Sequence, residues 1–506
     1  MFKNFENKIG FSTIEMLIAF SFFALIIGGV SVMALSNQVV ALDTQLSNQA
    51  LLKADQWLET LKTTAALNWS SANSIPLSAP DSDYQQYEVF VQDISPCAKY
   101  VSSAVLWHSS PTRSQKTEYI TLLTNPAEAI AMGGGCDPIP PGEWDNPGSF
   151  GSVDLSGSDG TGVDAHYING IRYAIITADP SSASAEDFIV VDVSDPDNLD
   201  LSDIVSEIDT GPGLNGVAVG KTYAYVVQNE NTDQLQVIDV SNPAAPSLVI
   251  SVALPNITFS CPGGNKCLAG RSVAYYGNKV YVGTAYIANL ALPSTQNNEF
   301  HIFDVSSPAN PVWLGSLNVN HNVNDIEVRG NYAYLATSDD VGEMTVVDVS
   351  NPVASFVAGK FDAQATGGGA SNEDGWSIDV VGSYAYFGRE RVNGGTERDF
   401  YILNVSNPAS VSVVGSKIVG MTSGNDIYIS GIAKQGNYAF LSTTDSNEPF
   451  FVLDVADPSN PVNYSACGLN FSQVTRGLKY LDNLIFTVNR SNDILRIIYD
   501  QPTACS

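Results

Sequence analysis

The stretch IEVRGNYAYLATSDDVGEMTVVDVSNP, residues 326–352, decides the fold. Apolar and polar residues alternate on both sides of Gly330-Asn331, the pattern of two strands joined by a tight turn. MTVVDV resumes as a third strand after a polar loop. SNP then stops it, because proline presets φ and Asn, Asp or Ser caps the backbone locally.

The same phrase recurs as VAVGKTYAYVV (217–227), VAYYGNKVYVG (273–283), IDVVGSYAYFG (378–388), IAKQGNYAFLS (432–442) and LKYLDNLIFTV (478–488). The stop signal falls at Asp192, Asp239, Asp304, Asp348, Asn404, Asp454 and Asp500, in steps of 47, 65, 44, 56, 50 and 46 residues. Between a stop and the next phrase lies a fourth apolar segment, such as PSLVISVAL (246–254) or PVWLGSLNV (311–319). Units of this length with four strands each read as the blades of a propeller. We expect an all-β, seven-bladed β-propeller over 149–506. The chain ends at Ser506, too soon for a fourth strand in the last blade. PGSFGSVDLSG (147–157) carries the missing pattern, and its pairing with the C-terminal blade would close the ring and cover open strand edges. These repeats resemble LVIVD-repeat propellers, a resemblance that covers roughly 149–506 and names no activity.

Loops just before the innermost strands of a propeller converge on one mouth of the central channel. Asn215, Arg271, Asp325, Trp376 and Arg476 are therefore the candidate binding residues, with insertions at 285–299 and 388–398 able to enlarge the rim. GVAVGKT (216–222) imitates a phosphate-binding loop but has three residues between its glycines where four are required, and Gly220-Lys221 falls at a hairpin turn. No GxSxG, HExxH or Ser/His/Asp grouping is present, so the chain reads as non-enzymatic. No cofactor is expected. DLSGSDGTGVD (154–164) is the one candidate for Ca²⁺, although Asp159 stands where an EF-hand loop needs glycine.

The 506 residues carry 23 Lys+Arg against 53 Asp+Glu, a net charge of −30. Such a surface repels phosphate backbones and excludes nucleic acid as a partner. Six cysteines (Cys97, Cys136, Cys261, Cys267, Cys467, Cys505) allow fifteen pairings in an exported chain, of which we favour the neighbours 97–136, 261–267 and 467–505. Neither CxxC nor Cys/His zinc spacing occurs, and His108, His166, His301 and His321 are scattered.

At the other end, Glu15 is the sole ionisable residue between Phe11 and Leu35, a run long enough as a helix to cross a bilayer. A carboxylate at that depth is costly and marks a functional site. Gly10-Phe11-Ser12-Thr13-Ile14-Glu15 followed by Met16-Leu17-Ile18-Ala19, behind the leader 1–10 with Lys3 and Lys8, resembles type IV prepilins and the pseudopilins of type II secretion. The resemblance implies that a prepilin peptidase cuts after Gly10 and methylates Phe11, and that Glu15 guides assembly with other pilin subunits. Gly28-Gly29 replace the proline such helices usually carry near the place of Val32. Leu42, Leu46, Ala50, Ala54, Leu58 and Leu61 continue the helical spacing to about Leu67, ready to pack on a small sheet formed by 87–94 and 102–126. The expected organisation is a leader (1–10), an α+β pilin-like domain (11–136) with a transmembrane and assembly helix (11–35), a Pro-rich linker (137–148) and the propeller. On this reading the protein is a minor pilin, held in the cytoplasmic membrane by one span before assembly and then displayed on the cell surface at the tip of a pilus, where the propeller serves adhesion or binds an extracellular ligand or partner. The alternatives are a secretion pseudopilin and a membrane-anchored enzyme using the propeller mouth.

Overall fold

The computed structural model describes residues 46–66, 69–80, 85–95, 98–110, 113–125, 144–154, 158–180, 185–255, 268–286, 298–363, 373–391, 398–421, 427–464, 469–471, 473–490 and 493–501. The chain divides into two compact units, Met1–Asp137 and Pro138–Ser506.

In the first unit a helix over 46–66 covers a three-stranded antiparallel sheet of Gln85–Ser95, Ala98–Ser110 and Arg113–Thr124. Its apolar stripe, Ala50, Ala54, Leu58, Leu61 and Ala65, is buried against Val89, Val101, Val105 and Trp107 of the sheet, as three- to four-residue spacing requires. Two expectations are corrected here. Among the described residues the long N-terminal helix of a pilin-like α+β domain is not found: apart from short 3-10 turns, the described helix is confined to 46–66 and the described chain is nearly all β. The single-pass membrane anchor is likewise not supported, since no described helix is long and apolar enough to cross a membrane. The helix over 46–66 exposes Asp55, Glu59 and Lys62 on its opposite face, as an amphipathic helix on a sheet requires. The expected span 11–35 lies outside the described residues.

The second unit is built from seven four-stranded antiparallel sheets. Their innermost strands are Ser158–Ile168 (blade 1), Leu214–Gly220 (blade 2), Gly270–Tyr276 (blade 3), Val323–Arg329 (blade 4), Gly375–Val381 (blade 5), Ile429–Gln435 (blade 6) and Thr475–Leu481 (blade 7). Each lies beside the innermost strand of the next blade, and that of blade 7 lies beside that of blade 1, so the sheets form a closed ring, a β-propeller. Closure comes from the strand anticipated upstream: Pro147–Asp154 pairs antiparallel with Asp493–Asp500 as the outer strand of blade 7. Phe150 stacks on Tyr499 at 3.7 Å, and Arg496 donates to the Ser149 hydroxyl at 3.0 Å. Trp144, inside the Pro-rich stretch, is fully buried against Phe440, donates its indole N–H to Asn483 at 3.2 Å and its backbone N–H to Asp500 at 3.1 Å.

Two local devices explain the repeated letters. Asp192, Asp239, Asp304, Asp348, Asn404 and Asp454 each accept, through Oδ1, the backbone N–H two residues on, at 2.8–2.9 Å, so the first letter of the stop signal caps the turn. The outer strands carry Gly315, Gly359 and Gly415, where a β-carbon would overlap the carbonyl oxygen of Pro352, Pro408 or Pro458 in the following blade. The turn falls one residue later than expected, at Lys221-Thr222 with Lys221 at φ 59°, while Gly220 pairs with Tyr223 in the strand, so this is a hairpin and no phosphate loop.

Candidate functional site

All seven innermost strands slip register at one level. Against its neighbour, each strand carries an extra residue there: Thr161, Asn215, Arg271, Asn324, Trp376, Ser430 and, in blade 7, the pair Arg476-Gly477. A β-bulge leaves its extra residue out of the ladder and re-aims the side chain. The bulged residues are half-exposed, whereas Leu214, Gly270, Val323, Gly375, Ile429 and Thr475 immediately before them are buried. One mouth of the channel is thus ringed by seven side chains freed from the sheets.

Four of the five residues picked from sequence belong to this ring. Asn215 donates to the carbonyl of Gly270 at 2.6 Å, and Asn324 donates to that of Gly375 at 2.7 Å. Arg271 donates through Nε to Asn324 at 3.0 Å, and its guanidinium lies 5.8 Å from the centre of the Trp376 ring. Trp376 stacks on Tyr428 at 3.7 Å with the planes 9° apart. Burial draws the Arg271 guanidinium down from its ordinary value, opposed by Tyr428 and Asp374, while the positive charge of Arg476 adds to the depression. Burial pushes the Tyr428 hydroxyl up, and Arg476 and Arg271 counteract it. Asp374, just before the bulge of blade 5, is raised to about 6 by burial against the pull of Arg271.

Asp325 stands one residue beyond the ring. Its carboxylate accepts from the backbone N–H of Ile326 at 2.8 Å and of Ile378 at 2.9 Å, tying blade 4 to blade 5. Asp379 and Asp164 do the same for their neighbours, accepting from Lys434 at 2.7 Å and Val219 at 2.8 Å. Together with Glu327 they place acids deeper in the channel, where Lys479 pairs with Asp164 at 2.9 Å and Arg329 with Glu327 at 3.0 Å. These groups touch water yet are walled in by protein, and burial raises Asp325 to about 6 and Glu327 to about 7. In the calcium candidate, Asp159 pairs with Arg490 at 2.8 Å and Asp164 with Lys479, so the strand spreads the acids among separate partners. Among the described residues no cluster of His, Cys, Asp and Glu is arranged to hold a metal.

Sequence reasoning missed Thr161, Asn324, Ser430 and Tyr428. A signal existed: Asn215, Arg271, Asn324, Trp376, Ser430 and Arg476 each stand six residues before the first turn residue of their hairpin, Lys221, Gly277, Gly330, Gly382, Gly436 and Asp482. Gly10, Phe11, Glu15 and all six cysteines lie outside the described residues, as does most of 285–299 and 388–398.

Six stretches match the LVIVD repeat: 183–207, 215–253, 270–319, 321–362, 373–417 and 428–467. Most run from an innermost strand to the outer strand of the same blade, so the repeat is the blade. No curated protein matches the chain. Among solved structures, BamB from Moraxella catarrhalis is similar at 11% identity and TM-score 0.41, over 73% of this chain and 95% of that one. The Swd1 (Cps50) β-propeller domain of Myceliophteria thermophila is similar at 8% identity and TM-score 0.44, over 71% and 100%. A catalytically inactive virginiamycin B lyase from Staphylococcus aureus, crystallised with quinupristin, is similar at 10% identity and TM-score 0.46, over 70% and 99%. These matches concern the propeller and bring no support to the pilin resemblance of residues 10–19.

Proposed function

We propose that this LVIVD-repeat propeller is a non-catalytic binding protein that engages a ligand or partner at the bulge-ringed mouth. The observation that carries the reading is the sevenfold recurrence of the bulge. Unpaired strand residues cost ladder hydrogen bonds, and their repetition at one level in every blade places side chains of different chemistry around one opening. A rigid scaffold presenting variable residues at one end is a common way to build a binding site. The hydroxyls at the ring favour binding over catalysis: Thr161 donates to the Leu214 carbonyl at 2.6 Å and Ser430 lies in hydrogen-bond contact with Ser442 at 3.1 Å, so neither is paired with a general base among the described residues.

The test is site-specific photo-crosslinking in the cells that make the protein. A photoreactive amino acid at position 430, in the ring, should give discrete adducts. The same group at position 356, where the outer-strand Phe356 is 55% exposed, should not. Equal labelling at both positions, or labelling at 356 alone, would reject the mouth as the binding site.

A further inference from the structure

We infer that the ligand taken at the mouth bears an oxyanion, a carboxylate or a sulfate group, held between the Arg271 and Arg476 guanidiniums beside the Trp376 indole. The inference rests on the mouth being the binding site proposed above, and adds the chemistry of what binds there.

The first argument is a census of donors. Arg271 commits its Nε to Asn324. Arg476 makes no hydrogen bond or ion pair with any described residue, although its guanidinium carries five N–H donors. The Trp376 indole N–H is shielded from water and has no acceptor among the described residues. A buried donor without a partner is costly, and native structures rarely leave one without a reason. Arg476 and the Trp376 indole therefore leave donors without acceptors at this opening.

The second argument is charge. Arg271 and Arg476 come from blades on different sides of the ring, yet lie close enough for the charge of one to disfavour that of the other. The charge of Asp374 offsets that of Arg271. In a chain carrying 53 Asp+Glu and only 23 Lys+Arg, the charges of Arg476, Arg271 and Arg490 all act on the Tyr428 hydroxyl, with Glu390 and Asp374 as the acids beside them, so positive charge gathers on this side of the mouth. An oxyanion resolves both problems, because two of its oxygens accept from a guanidinium fork while its charge offsets the two cations. The long-range field of the protein opposes this attraction, so recognition at this spot rests on short-range contacts, and the titrations belong at about 0.15 M salt, where a Debye length of about 8 Å screens that field.

Calorimetric titration of the full chain tests the inference with four probes: sodium sulfate, polygalacturonate for carboxylates, dextran sulfate for sulfates, and neutral dextran. Saturable binding of polygalacturonate or dextran sulfate, with no heat from neutral dextran, is the expected result, and the stronger of the two identifies the anion. Arg476→Ala should weaken that binding by roughly ten- to a hundredfold, the loss of one charge-assisted contact. Trp376→Phe keeps the ring stack on Tyr428 but removes the N–H, and should weaken it by about tenfold or less. Equal binding of neutral dextran, no binding of any anionic probe at millimolar concentration, or wild-type affinity in both variants would overturn the inference. If adducts still form at position 430 while the anions fail, the mouth remains the site and only its ligand chemistry is wrong. If adducts form elsewhere, the binding reading itself falls.

Discussion

Glu299 should make the propeller less stable as pH rises, and its replacement by Gln should remove much of that dependence. The side chain is 2% exposed and precedes the third strand of blade 3. Its carboxylate accepts the backbone N–H groups of Val319 at 2.9 Å and Asn320 at 3.0 Å, clamping the end of the outer strand. Burial outweighs those bonds and raises the group from 4.5 to about 7. A folded value above the unfolded one means the native state holds the proton more tightly between the two. The stabilisation is therefore complete below about pH 4.5 and is lost as pH passes through 7. A shift of this size corresponds to about 3 kcal/mol, at 1.36 kcal/mol per unit. Gln is neutral throughout and keeps an acceptor, so Glu299→Gln should flatten the pH 5 to pH 8 decline by up to about 3 kcal/mol. Guanidinium unfolding of both proteins at several pH values, followed by near-ultraviolet circular dichroism, reads the difference. Parallel pH profiles for wild type and variant would refute the reasoning.

Other expectations follow from the same contacts. Trp144→Ala should cost about 3–5 kcal/mol in denaturant unfolding, because a fully buried indole leaves a cavity and its partners Asn483 and Phe440 lose their contacts; wild-type stability would show that ring closure does not depend on it. Gly359→Ala should destabilise by about 1–3 kcal/mol, since the new methyl overlaps the Pro408 carbonyl; an unchanged melting temperature would contradict that approach of the blades. Arg389 and Glu343 are both fully buried and 3.0 Å apart. Arg389→Met alone should cost about 3–5 kcal/mol by stranding the acid, and adding Glu343→Gln should recover part of it in a double-mutant cycle; strictly additive losses would refute the coupling.

Much of the propeller was legible because its signals are local and repeated. The Asp or Asn opening each stop signal caps its own turn two residues on, so the stop is written within five letters. The closing strand was legible for the same reason: 147–154 copies the outer-strand pattern that the last blade lacks. The first unit shows the opposite case. An apolar stripe at helical spacing fits a long membrane-anchored helix and a short amphipathic one equally, and the described chain supports only the helix over 46–66.

The sequence by itself determined the number of blades, the hairpins, the strand that closes the ring and four of the residues at its mouth, because period-two alternation and turn chemistry act between neighbours in the chain. Only the tertiary structure decided that Thr161, Asn324 and Ser430 complete the ring, that Tyr428 backs Trp376, and that Asp325 ties two blades together. A bulge is a relation between two strands, and the stack of Trp376 on Tyr428 is a relation between two blades. Neither exists until the ring shuts.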